Sequence, residues 1–91
     1  MRIVGYIENT EYKISILHMN LRYAIKFEKE GLEQTFKIRE SEEIRNAENV
    51  KSLVDDNILA SVKTIFSQME DTRIKLLTKS INDLDEFEEV I

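Results

Sequence analysis

The 91-residue chain has no cysteine and no proline, two glycines and a single histidine. Each shortage removes a class of chemistry. Without Cys there is no disulfide, no thiolate nucleophile, no iron–sulfur cluster and no Cys-based zinc site. With only Gly5 and Gly31, no glycine-rich loop can cradle a phosphate. The apolar stretch nearest the N-terminus, Ile3 to Ile7, is too short for a signal segment and ends at Glu8. No run approaches the roughly 20 apolar residues of a membrane span. The expectation is one small soluble cytoplasmic domain. A chain this short buries only about 60–70% of its surface. With no disulfide to reinforce it, oligomerisation is the remaining common reinforcement.

Charge is distributed unevenly. Residues 1–81 hold thirteen basic and thirteen acidic groups, so the net charge of −5 sits wholly in the last ten residues. The chain divides accordingly into a neutral α+β domain, 1–81, and an acidic C-terminal tail, 82–91.

The first forty residues read as strands. In Tyr12–His18, the side chains of Tyr12, Ile14, Ile16 and His18 fall on one face. In the next strand Leu21, Tyr23, Ile25 and Phe27 do so, and in the one after, Leu32, Phe36 and Ile38. A period of two marks a strand with one buried and one wetter face. Ile3–Ile7 supplies a further β-branched strand. The connectors are short and turn-like: Glu8–Glu11, Met19-Asn20, and Lys29-Glu30-Gly31, where Gly31 suits the left-handed position of a bulged hairpin. Such loops join neighbouring antiparallel strands, which gives a four-stranded meander.

The pattern changes near residue 40. Asn46 is a helix N-cap followed by a carboxylate in the first turn, and Asp55, Asp56 and Asn57 form a second cap-like cluster. Ile58, Val62, Ile65, Met69, Thr72 and Leu76 then recur at helical spacing, widened by Leu59, Phe66 and Leu77. The fold expected is α+β: a four-stranded antiparallel meander, a short helix, and a long C-terminal helix over about 58–80 packed on the sheet. The expected core is Ile14, Ile16, Tyr23, Ile25, Phe27, Phe36, Ile38, Val50, Leu53, Val54, Leu59, Val62, Ile65, Phe66 and Met69. A helix of that length runs roughly 35 Å, against about 24 Å for a seven-residue strand and about 19 Å across four strands. Its distal residues Ile74, Leu77 and Ile81 are therefore expected to outrun the sheet, and a second subunit or a folded-back tail to cover them.

Chemistry-bearing residues are sparse. His18, at a strand end beside a turn, reads as structural, because a general base needs a nucleophile or substrate held beside it. The carboxylate pairs Glu42/Glu43, Asp55/Asp56, Asp83/Asp85 and Glu88/Glu89 read as caps and solvated charge. Acid–base work needs one carboxyl pushed away from the other by burial, and the spacing of Asp83, Asp85 and Glu89 is not that of a calcium loop. No catalytic, cofactor-binding or metal-binding residues are assigned, and the chain reads as non-enzymatic. Lys13, Arg22, Lys26, Lys37 and Arg39 fall opposite the core positions, with Glu28 and Glu33 among them. A basic sheet face of this kind could track a phosphate backbone, though it offers few aromatic residues for stacking. In the tail, Leu84, Phe87, Val90 and Ile91 interleave with acids. They suit a short amphipathic helix entering a partner's groove, a segment folded back on its own domain, or a solvated end.

The stretches VGYIE, EQTFK, LVDDNILASV and FEEVI resemble a small family of conserved bacterial proteins, of the Bacteroidetes type, to which no activity is assigned. That resemblance implies a small stand-alone protein and nothing about chemistry. Four strands followed by a helix is also similar, in topology alone, to Whirly and Pur-repeat modules, which bind single-stranded nucleic acid; none of their motifs is matched. The sequence thus points first to a homodimeric protein-interaction module with no cofactor, whose tail is a candidate site for a protein partner, and second to a single-stranded nucleic-acid binder using the basic sheet face.

Overall fold

A computed structural model describes the backbone of residues 1–90 and the side chains of residues 1–81. Four strands, β1 (Arg2–Ile7), β2 (Lys13–Met19), β3 (Arg22–Lys29) and β4 (Leu32–Arg39), precede two helices, α1 (Ala47–Lys51) and α2 (Asp56–Val90). The strands form one antiparallel sheet in the order β1-β2-β3-β4. This is the α+β meander that the alternation predicts.

The turns explain why neighbours pair. Asn9 Oδ1 accepts from the backbone N–H of Glu11 and Tyr12 and folds the chain back into β2. Met19 pairs with Arg22, so the next turn is Asn20-Leu21, with Asn20 at φ 56°. Lys29 pairs with Leu32, and Glu30 and Gly31 both have positive φ, 49° and 81°. Two successive positive φ values make a two-residue type I′ hairpin. This corrects the expected bulged hairpin. The bulge lies in β1, where the register shifts between Ile3 and Gly5. Leu21, assigned by alternation to the inner face, is a turn residue and is exposed.

The inner face carries Ile14, Ile16, Tyr23, Ile25 and Phe27, which pack with Val50 of α1 and Val62 and Phe66 of α2. Tyr12 stacks on Phe66 with ring centroids 5.3 Å apart. Asn46 Oδ1 accepts from Asn49 N–H to cap α1, and Asp55 Oδ1 accepts from Ile58 N–H at the start of α2. Leu59 lies by the Asn9–Tyr12 turn. The Gln34 side-chain amide donates to the Val62 carbonyl, and Arg73 donates to the Glu30 carbonyl. α2 therefore crosses from the β1–β2 turn to the β3–β4 turn and leaves the sheet on the β4 side.

Three expected core residues are not in the core. Phe36 is 42% exposed, and Leu53 and Ile65 are also exposed. The sheet accepts a single row of α2 side chains, Leu59, Val62, Phe66 and Met69. Ile58 and Ile65 lie about 60° and about 80° around the helix from the centre of that row, at about 100° per residue. Phe36 points to the helix-bearing side, yet β4 is an edge strand and only one flank of the ring is covered.

Candidate interaction surfaces

All five basic residues singled out by the sequence lie on the outer sheet face, because their cross-strand partners do. They do not act as one patch. Lys26 forms ion pairs with Glu33 (3.1 Å) and Glu28 (3.7 Å). The hydrogen bond it donates to Glu33, and then the charges of Glu28 and Glu33, hold its ammonium above the usual lysine range. Lys13 stands directly opposite Glu28. The turn end of this face is thus compensated. At the other end Arg22 stands opposite Arg39, and Lys37 opposite Ala24. Among the described residues, none of Arg22, Lys37 and Arg39 has an acidic partner within 4.0 Å. Like charges directly opposite in a sheet repel.

The bulge in β1 adds something simple alternation does not give. Ile3 pairs with Leu17 and Tyr6 with Ser15, so Ile3 and Tyr6 both reach the outer face. With Met19 they leave an exposed apolar band beside the arginine end. Strict alternation places Ile3 and Tyr6 on opposite faces; Gly5, an isolated glycine within the strand beside the shift, is the residue that could have signalled the bulge.

The second surface is α2 beyond Arg73. Ile74, Leu76, Leu77 and Ile81 each expose more than half of their surface. The expected overrun of the sheet is present. The tail residues Leu84, Phe87, Val90 and Ile91 have side chains outside the described residues.

The features that would suggest catalysis are each accounted for locally. His18 Nε2 lies 2.6 Å from Glu40 Oε1 and its ring packs on Tyr23, centroids 4.5 Å apart. This ties the ends of β2, β3 and β4 together. The Tyr23 hydroxyl donates to the Arg45 carbonyl; burial, and next the Glu40 charge, push its pKa up. Burial and Glu11 do the same to Tyr12. A half-open hollow of about 290 Å³ is floored by Tyr12, Leu32 and Phe66 and rimmed by Lys29, Lys63 and Glu70. Among the described residues no three His, Asp or Glu side chains gather where they could hold a metal ion. No described helix is long and apolar enough to cross a membrane.

No family model, curated protein or solved structure matches the chain. The surfaces themselves carry the functional reading.

Proposed function

We propose that the protein is a non-enzymatic, homodimeric interaction module of the cytoplasm. The observation that supports this is the apolar stripe Ile74, Leu77 and Ile81, exposed where α2 leaves the sheet on the β4 side. A stripe of this kind on a helix that has left its own sheet is what a partner surface covers. His18, the residue best suited to catalysis, is engaged with Glu40 and Tyr23. The acidic tail is a second attachment, for a protein partner. Light scattering across a concentration series tests the dimer. A dimer mass at high micromolar concentration is expected, and a clean monomer mass there rejects it. Removing residues 82–91 tests the tail: stability stays nearly unchanged and capture of the partner is lost.

A second reading has its own observation. Arg22, Lys37 and Arg39, without an acidic partner among the described residues, share the outer face with the exposed Tyr6 of β1, and cations with an aromatic ring on one face suit single-stranded nucleic acid. Lys13 and Lys26 contribute less, being matched by Glu28 and Glu33. Fluorescence polarisation with a labelled single-stranded oligonucleotide should then show binding that weakens steeply with salt and is lost in Arg22→Glu/Arg39→Glu. Salt-independent binding, or none, removes this reading.

A further inference from the structure

The sheet has two edges, and they are treated differently. β1 is six residues long, is bulged at Val4, and is overlain by α1, so that a Cβ on Gly5 would lie 3.5 Å from Lys51 and 3.6 Å from Ala47. Bulges and covering elements are the usual protection of an edge. β4 is eight residues long, pairs with β3 without a break in register, and contains neither bulge nor proline. The type I′ turn makes Lys29 and Leu32 the closing hydrogen-bonded pair, and antiparallel pairs alternate from there. The bond from Glu40 N–H to the Leu21 carbonyl, 2.9 Å, continues the same ladder. Leu32, Gln34, Phe36 and Ile38 therefore bond inward to β3. Glu33, Thr35, Lys37 and Arg39 turn their N–H and C=O groups outward.

We infer that β4 pairs with β4 of a second copy of this chain, antiparallel, about a two-fold axis at Thr35. This rests on the dimer reading above and names its surface. The self-complementarity lies in the charges. With the axis at Thr35, Glu33 faces the partner's Lys37 and Lys37 faces the partner's Glu33. Arg39 falls opposite the partner's Gly31, diagonal to the partner's Glu33. The other symmetric registers are worse. An axis at Glu33 or at Lys37 sets identical charges face to face, and one at Ile38 sets Lys37 against Arg39. An axis at Gln34 gives Glu33 no basic residue opposite. An axis at Phe36 pairs Glu33 with Arg39 but leaves Lys37 against Thr35, diagonal to the partner's Lys37 as well as to the partner's Glu33, so Lys37 has no acid directly opposite. Glu33 keeps its bond to Lys26 and, with its side chain 59% exposed, has room for a second cation. The pairing joins the two sheets into one of eight strands. It also brings the partner alongside Phe36, and beneath the side from which the exposed end of α2 emerges. An isologous contact of this kind closes on itself at two copies.

Cross-linking reads the register directly, because the chain has no native cysteine. Thr35→Cys places one thiol opposite its own copy, within the roughly 4.4–6.8 Å Cα separation a disulfide accepts. Mild oxidation of the full chain should yield a covalent dimer. Lys37→Cys serves as control, because its two copies are four residues out of line, about 13 Å apart, and should not link. Charge exchange gives a second readout. Glu33→Lys and Lys37→Glu should each weaken self-association about tenfold by turning both cross-strand pairs repulsive. An equimolar mixture of the two variants should associate again, since each supplies the charge the other lacks. Circular dichroism confirms that each variant is folded. If the unaltered chain is a dimer by light scattering but Thr35→Cys does not link, or links no better than Lys37→Cys, the strand pairing is overturned and the dimer stands. If the unaltered chain is monomeric, both fall.

Discussion

At the scale of single residues, burial separates positions that look alike in the sequence. Ile25 and Phe36 are cross-strand partners on one face, and both belong to the alternating apolar set. Ile25 is 4% exposed and Phe36 42%. Ile25→Ala should therefore cost about 2–5 kcal/mol, the cost of a core cavity. Phe36→Ala should cost only about 0.5–1.5 kcal/mol, roughly the worth of its edge-on contact with Phe27. Urea unfolding of the two variants in dilute protein checks the difference, and equal losses would mean that Phe36 is covered within one copy. Gln34 is the converse case, a polar residue in a buried position. Its Nε2 donates to the Val62 carbonyl, 3.0 Å, but its Oε1 is buried without a partner. Replacing it with Met, of similar length, removes that orphan acceptor. Gln34→Met should leave stability unchanged or raise it by about 1 kcal/mol. A clear loss in the same unfolding assay would show that the amide contributes more than its unpaired oxygen costs.

At the scale of elements, the sequence was legible wherever one local signal had one structural consequence. Two-residue periodicity marked the strands and Asn46 the start of α1, while the Asp55–Asn57 cluster could be read as a helix start or as a bend. What could not be read were features fixed by neighbours. The β1 bulge is signalled only by the isolated Gly5, which alternation passes over, yet it decides that Ile3 and Tyr6 share the outer face. The choice between a bulged and a two-residue hairpin at Gly31 depended on Glu30 taking positive φ, which the residue type does not favour. The apolar stripe of α2 was broader than the sheet beneath it, so Ile58 and Ile65 could not be told from Leu59 and Val62 by spacing alone. The candidate surfaces divide the same way. The five outer-face cations followed from alternation. Their separation into a compensated end and a free arginine end followed from cross-strand register, which the chain reveals only when folded. The caps lend themselves to a direct check. Asn46→Ala removes the acceptor for Asn49 N–H and should cost about 1 kcal/mol. Because α1 holds Val50, which is fully buried, local hydrogen exchange at 47–51 should rise with it.

At the scale of the whole molecule, the domain leaves apolar surface on one side. Phe36 lies at the open edge strand, and α2 carries Ile74, Leu77 and Ile81 past it on one helix face. A chain of 91 residues without disulfides has little stability in reserve, so association that covers this side should contribute measurably to folding. Linkage then makes the thermal midpoint rise with protein concentration, because only the folded chain associates. The residues responsible are separable from the fold. Leu77 and Ile81 are each 60% exposed, and in one copy they stand largely in solvent. Leu77→Ser/Ile81→Ser should therefore leave the midpoint of the dilute protein within a degree or two, while reducing its dependence on concentration. Differential scanning calorimetry over a hundredfold concentration range measures both quantities at once. A concentration-independent midpoint for the unaltered chain would mean that the exposed side is not covered by a second copy. A lower dilute midpoint for the double variant would mean that the distal half of α2 already packs within its own chain.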